Sequence, residues 1–116
     1  MESFTQIMKA LSDLTRVRII HLLSHQALCV CEMTAILNES QPKISKHMHT
    51  LYHAGLVKKS RSQQFITYRL NPDQPLLEAL TSLVKTQQSS DELLQLDYQA
   101  YLNKDVWACQ ISEQIR

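Results

Sequence analysis

Ser40-Gln41-Pro42-Lys43-Ile44-Ser45-Lys46-His47, continued by Met48-His49-Thr50-Leu51, is the stretch that decides the fold. Ser40 suits an N-cap, because its side chain accepts from the free backbone N–H groups of a first helical turn. Pro42 is tolerated in that turn, where its missing N–H would be unpaired anyway. Ile44, Met48 and Leu51 recur at i, i+4 and i+7 and make one buried stripe. Gln41, Lys43, Ser45, Lys46, His49 and Thr50 fall on the other side, with His47 near the boundary. The exposed face is short, polar and basic, with no carboxylate to repel phosphate. It suits a recognition helix in the major groove of duplex DNA.

Upstream, residues 29–38 read as a short helix with Val30, Met33, Ile36 and Leu37 on its apolar side. Asn38-Glu39-Ser40 is then a tight connection, and helix, short turn, helix is the helix-turn-helix arrangement. Residues 4–11 form an amphipathic helix through Phe4, Ile7, Met8 and Leu11. Ser12 or Asp13 caps the next helix, Leu14 to about His25, which turns Leu14, Val17, Ile19, Ile20, Leu22 and Leu23 inward. Arg16 and Arg18 point elsewhere, toward a phosphate or an acidic neighbour. His21 and His25 lie one turn apart, a metal-ligand spacing, but no Glu or Cys accompanies them. They read as partly exposed helix-face histidines.

Downstream, Gly55 is the only glycine and falls where the recognition helix should end, in the left-handed conformation glycine tolerates best. Leu56–Ser60 and Phe65–Leu70 read as two strands around the polar tip Ser62-Gln63-Gln64. A basic hairpin after a helix-turn-helix is a wing, with Lys58, Lys59 and Arg61 along the phosphate backbone or the minor groove. Leu76, Leu77, Leu80, Leu83 and Val84 give a further helix whose apolar stripe has little left to cover, either core or a dimerisation face packed with the first helix. Gln87-Gln88-Ser89-Ser90 reads as a polar hinge. Residues 91–103 read as a last helix, acidic outside, before a tail holding Trp107 and Cys109. The expected architecture is mainly α with a two-stranded β wing: a winged helix-turn-helix domain over 1–90, dimeric through its terminal helices, and a helical extension over 91–116.

Charge supports the nucleic-acid reading. Between Ser40 and Pro72 there are six Lys and Arg residues and no Asp or Glu, and the other positions hold six basic and eleven acidic groups. A basic stripe in an otherwise acidic chain is the footprint of phosphate binding, with a solvated basic face as the plain alternative. At 116 residues and 44% apolar, the chain has material for one small core. Met1-Glu2-Ser3-Phe4 lacks a leader pattern, and no apolar run approaches the ~18 residues that span a bilayer. The expected location is cytoplasmic, away from membranes, where thiols are the default state of cysteine.

Leu28-Cys29-Val30-Cys31-Glu32 then stands out. Two of the three cysteines lie there, a soft-ligand pair beside a DNA-reading element. Successive helical residues are 100° apart. Two helical cysteines at this spacing therefore diverge by about 200° and meet on one centre only if that turn unwinds. A disulfide is poor in such a helix, and zinc wants four ligands where the chain has three cysteines. Buried inert cysteines and a thiol redox sensor are the other readings. A single glycine rules out a glycine-rich phosphate loop, and no nucleophile–base motif appears, so an enzyme is not expected.

Together, Ala10-Leu11-Ser12-Asp13-Leu14-Thr15-Arg16-Val17-Arg18-Ile19, the Cys-Val-Cys segment, and Ser40–His47 followed by Gly55-Leu56-Val57 resemble the ArsR/SmtB family over roughly residues 4–85. Its members are dimeric winged-helix repressors that leave operator DNA when a metal or metalloid binds. The Cys-Val-Cys is similar to that of the arsenic-responsive branch. The resemblance implies Cys29 and Cys31 as thiolate ligands of trivalent arsenic or antimony acting as inducer, with no permanent cofactor. It also implies Gln41, Lys43, Ser45, Lys46 and His47 as DNA-facing positions, and Ser40 and His49, at the start and on the polar face of the same helix, are further DNA-binding candidates. Many arsenic sensors carry a third cysteine where this chain has Thr34, so Cys109, an external thiol or no group completes the set. The Asp and His site of zinc-type members is missing, since no histidine follows His53. A redox-responsive repressor on the same scaffold and a winged-helix protein-interaction module are the competing functions.

Overall fold

The computed structural model describes residues 2–62 and 65–107. Two helices, α1 (Glu2–Ala10) and α2 (Leu14–Leu23), lead into a short strand β1 (Leu28–Cys29) and helix α3 (Val30–Leu37). Helix α4 (Gln41–His53) and strands β2 (Val57–Ser62) and β3 (Phe65–Leu70) follow, then α5 (Leu77–Gln88) and α6 (Glu92–Leu102).

Helix starts follow the capping chemistry. Asp13 caps α2 by accepting from the Arg16 amide at 3.1 Å, and Ser40 caps α4 by accepting from the Lys43 amide at 3.4 Å. Between α3 and α4, Asn38 takes the left-handed conformation, φ 55° and ψ 48°, that a short polar side chain tolerates. Gly55 ends α4 at φ 79°. Its amide bonds the Tyr52 carbonyl and the Leu56 amide bonds the Leu51 carbonyl, the paired closure of a Schellman motif.

The sheet differs from the expected hairpin. It has three strands in the order β1-β3-β2, all antiparallel. Leu28 pairs with Tyr68 and Cys29 with Thr67. Residues 29–38 are therefore not one helix. Cys29 is extended, φ −90° and ψ 168°, and helical geometry begins at Val30.

The core joins Ile7 of α1, Ile19, Ile20 and Leu22 of α2, Met33 and Leu37 of α3, and Ile44, Met48 and Leu51 of α4. The α4 stripe is buried as its spacing predicts. Leu14 is not: it is 60% exposed at the first position of α2. His21, expected to be partly exposed, is buried on the same helix, and Arg18 is buried too, reaching an acidic neighbour and not a phosphate. Helix α6 packs on α2 and α3 and covers both. Its Asp97, placed on an acidic outer face by sequence, points inward to Arg18. Gln87 and Gln88 belong to the end of α5, so the hinge shrinks to Ser89 and Ser90. Cys109 and the residues around it lie outside the described residues.

Candidate functional site

The strand-to-helix junction brings the two described thiols together. Cys29 leaves the sheet in extended conformation and Cys31 sits in the first turn of α3, so their Sγ atoms lie 2.9 Å apart. The 200° divergence applies only to two helical residues, and no unwinding is needed for both sulfurs to face one atom. Glu32 fixes the junction by accepting from the Cys29 amide at 2.8 Å. Thr34, at the position of the missing third cysteine, donates its hydroxyl to the Cys31 carbonyl at 2.7 Å.

The two sulfurs are unequal. Cys29 is 3% exposed and Cys31 half-buried. Burial pushes the Cys29 thiol up to about 12, helped by its hydrogen bond to Cys31 and by the Glu32 charge, while the Glu32 backbone contact pulls the other way. Cys29 is therefore a protonated thiol at neutral pH. Beside the pair is an open cleft of about 510 Å³, lined by Val30 of α3, by Phe65, Ile66 and Tyr68 of β3, and by Gln41 and Ser45 of α4. Sequence reasoning did not find these walls. Phe65–Leu70 was legible as a strand, but not that pairing with β1 sets it next to the cysteines. Among the described residues, no three His, Cys, Asp or Glu side chains are grouped to hold one metal ion. Two adjacent thiols in a cleft do fit a soft trivalent centre that needs few sulfurs.

The basic face divides in two. Ser40, Gln41, Lys43, Ser45, Lys46 and His49 are exposed. Lys43 leans on Glu39, one turn back, at 3.0 Å. Lys59 and Arg61 are exposed on β2, with Lys59 over the Tyr52 ring at 4.4 Å from its centroid. His47 is different. Its side chain is half-buried, and its Nδ1 accepts from the Arg16 Nη1 at 3.1 Å while Arg16 Nε donates to the Ala10 carbonyl. Burial pulls the His47 pKa down, opposed by Asp13 and aided by Arg16, Lys43 and Lys46. His47 thus clamps α4 to the start of α2 in its neutral form. Lys58 is also engaged, with its Nζ 2.9 Å from Asp73.

His21 and His25 form a seam, not a ligand set. The His21 Nε2 donates to Gln88 Oε1 at 2.7 Å, and His25 packs on Tyr98 and Tyr101 with ring centroids 4.9 and 5.2 Å away. Tyr101 in turn stacks on the buried Trp107, whose indole N–H donates to the Tyr101 carbonyl at 2.8 Å. These rings fasten α6 to α2.

The sequence profile described as bacterial regulatory protein, arsR family, matches residues 13–59, from the α2 cap into β2. The arsenical resistance operon repressor of Staphylococcus xylosus is 36% identical over 70 residues, covering 60% of this chain and 67% of that one. This chain belongs to the arsR family. An arsenic resistance transcriptional regulator of Pseudomonas putida is 46% identical over 70 residues, covering 60% of this chain. The match spans 61% of that relative's length, about three fifths. Among solved structures, the transcriptional repressor BigR from Xylella fastidiosa superposes with a TM-score of 0.64 at 23% identity, covering 76% of this chain and 85% of that one. That likeness shows the winged-helix fold. Among the described residues no helix is long and apolar enough to cross a membrane.

Proposed function

We propose that this arsR-family chain is a homodimeric, DNA-binding repressor of a metalloid resistance operon, released from its operator when trivalent arsenic or antimony binds Cys29 and Cys31. The observation that carries this reading is the position of the thiol pair: 2.9 Å apart, in a cleft lined also by Gln41 and Ser45 of the recognition helix. The relatives named for arsenical resistance support it.

Arsenous acid condenses with thiols. Each As–OH and S–H give an As–S bond and one water, so the proton of Cys29 leaves with hydroxide and its high pKa is no obstacle. Gln41, Ser45, Lys46 and His49 read the groove, and Lys59 and Arg61 track the backbone. Ligand in the cleft meets Gln41 and Ser45, so inducer and operator compete for one helix turn. A coupling of ~1–3 kcal/mol is the usual scale for such linkage. Phe4 and Met8 of α1 and Leu83 of α5 leave large apolar side chains exposed, which supports a dimer through those helices. Within the 91–116 extension, helix α6 steadies this domain by packing on α2 and α3, and Cys109 is the candidate third sulfur.

The test is an operator-binding assay on the gene's own promoter DNA, titrated with arsenite and antimonite. Wild type should release DNA, and Cys29→Ser and Cys31→Ser should hold it. Unchanged release in both variants sinks the reading. A second reading, a redox-responsive repressor, is favoured by the same sulfur contact. A hydroperoxide would join the two thiols as a disulfide, being itself reduced to water or to an alcohol and water. Release by peroxide with no response to arsenite selects it.

A further inference from the structure

Two sealed imidazole nitrogens lie where α6 docks on α2. His21 is fully buried, and its Nε2 donates to Gln88 Oε1 at 2.7 Å. Its Nδ1 therefore carries the lone pair, and among the described residues it has no hydrogen-bond partner. His25 meets it edge-on at 5.1 Å between ring centroids, and the His25 Nε2 is likewise buried and unpartnered. Tyr98 and Tyr101 of α6 close over His25, and Tyr101 stacks on Trp107. A second proton on the His21 ring lands on the sealed Nδ1 and makes a buried cation with no acceptor to meet it. The His25 cation is disfavoured first by burial, then by charge on His21 and on Lys85 of α5, against one hydrogen bond to Gln88, and its pKa lies below the ordinary imidazole value of about 6.5. From the α6 side the seam meets phenols, and the buried carboxylate of that helix, Asp97, is taken by Arg18.

We infer that the His21–His25 seam is an acid-operated latch: protonation of its imidazoles undocks α6 from α2 and, through Arg18, loosens the turn that launches α4. The docked form excludes protons that the open form takes up from solvent. Docking is therefore complete above the ordinary imidazole range and is lost as pH falls below it, and the opening constant rises about tenfold per pH unit for each proton taken up. The link to α4 runs through one side chain. When α6 leaves, Asp97 leaves Arg18, whose guanidinium also holds the Leu37 carbonyl and approaches Glu39. Glu39 in turn supports Lys43 of the recognition helix. Acid should thus weaken operator binding. Added positive charge on a DNA-binding face acts in the opposite direction, so the sign distinguishes the latch from plain titration of that face. The operator consequence rests on the DNA-binding reading above, and the latch itself does not.

Trp107 reports on the latch, being the only tryptophan of the chain and 4% exposed in the docked form. On the full chain at constant ionic strength, titrated from pH 8 to pH 5, its emission should shift to the red and its quenching by acrylamide should rise in one step, while far-UV circular dichroism keeps most of the helix. His25→Phe leaves a ring for Tyr98 and Tyr101 but takes no proton, and His21→Gln leaves a donor for Gln88. The double variant should lose the step or move it down by about one pH unit or more. At pH 5.5 it should also bind operator DNA about fivefold or more tightly than wild type, the low end of ordinary coupling, and equally at pH 7.5. A flat Trp107 signal in wild type, or a step unmoved in the double variant, overturns the inference. Should that variant not fold at pH 8, proton NMR of the wild-type imidazoles decides: titration of His21 and His25 together with the Trp107 step supports the latch, and titration apart from it overturns it. A moved step with equal operator affinities at pH 5.5 overturns the link to α4. No operator binding at any pH sinks the DNA-binding reading and leaves the Trp107 result to judge the latch.

Discussion

Arg18 and Asp97 form a buried two-pronged ion pair across 79 residues of sequence. Arg18 Nε lies 2.8 Å from Asp97 Oδ2, and Nη2 lies 2.9 Å from Oδ1. The same guanidinium donates to the Leu37 carbonyl at 3.0 Å and approaches Glu39 at 3.6 Å. One side chain on α2 thus ties α6 to the end of α3 and to the turn that launches α4. Removing one partner of a buried pair leaves an uncompensated charge, at a cost of about 3–5 kcal/mol. Asp97→Asn is therefore expected to lower the free energy of unfolding, measured by urea denaturation, by that margin. It should also weaken operator binding beyond what partial unfolding explains, because Arg18 would then draw on Glu39, which already supports Lys43. An unfolding free energy unchanged within about 1 kcal/mol would show that α6 does not brace the domain.

The parts of this molecule that sequence exposes are those decided within a few residues. The Ser40 cap, the Ile44, Met48 and Leu51 stripe and the Gly55 terminus all follow from local geometry, and all stand in the structure. What stayed hidden depends on distant partners. Cys29 leaves the helix because Thr67 pairs with it, and Asp97 turns inward because Arg18 waits there. His47 stood near the edge of the polar face by spacing, and its contact with the Arg16 guanidinium was not legible there. The thiol site was legible as two residue types at a spacing. Its cleft was not, because half its wall comes from β3.

Gly55→Ala tests the end of the recognition helix. A Cβ there has room, its nearest neighbour being Gln74 Nε2 at 4.0 Å, so sterics with other residues do not penalise it. The φ of 79° does, since an L side chain in the left-handed region costs roughly 1–2 kcal/mol. Thermal unfolding should show a loss of that size with arsenical binding intact. A stabilised variant would mean that the turn rearranges easily.

The wing is predicted to act through phosphate contacts. Losing one such contact should flatten the slope of log affinity against log salt by about 0.9. Lys59→Ala and Arg61→Ala should each do this. Asp73→Asn should work in the opposite direction, strengthening binding, because it frees the Lys58 Nζ now held at 2.9 Å. Filter binding or fluorescence anisotropy at several salt concentrations reads all three. A slope untouched by both basic substitutions would remove the wing from the interface.

The high pKa of Cys29 separates neutral metalloid acids from metal cations. Its thiol is protonated throughout the range from pH 6 to 8, with its pKa pushed up to about 12 by burial and by Cys31. A divalent cation such as cadmium must displace that proton into solution, so its affinity should rise about tenfold per pH unit for each proton released. Arsenous acid is neutral and carries the proton off as water, so its affinity should stay within a few-fold over the same interval. The sign is fixed by mass action: raising pH helps only the ligand that expels protons. Competition for the site measured at pH 6, 7 and 8 should give a steep line for cadmium and a flat one for arsenite. Two parallel lines would mean that Cys29 is already a thiolate, or that Cys31 alone carries the bond.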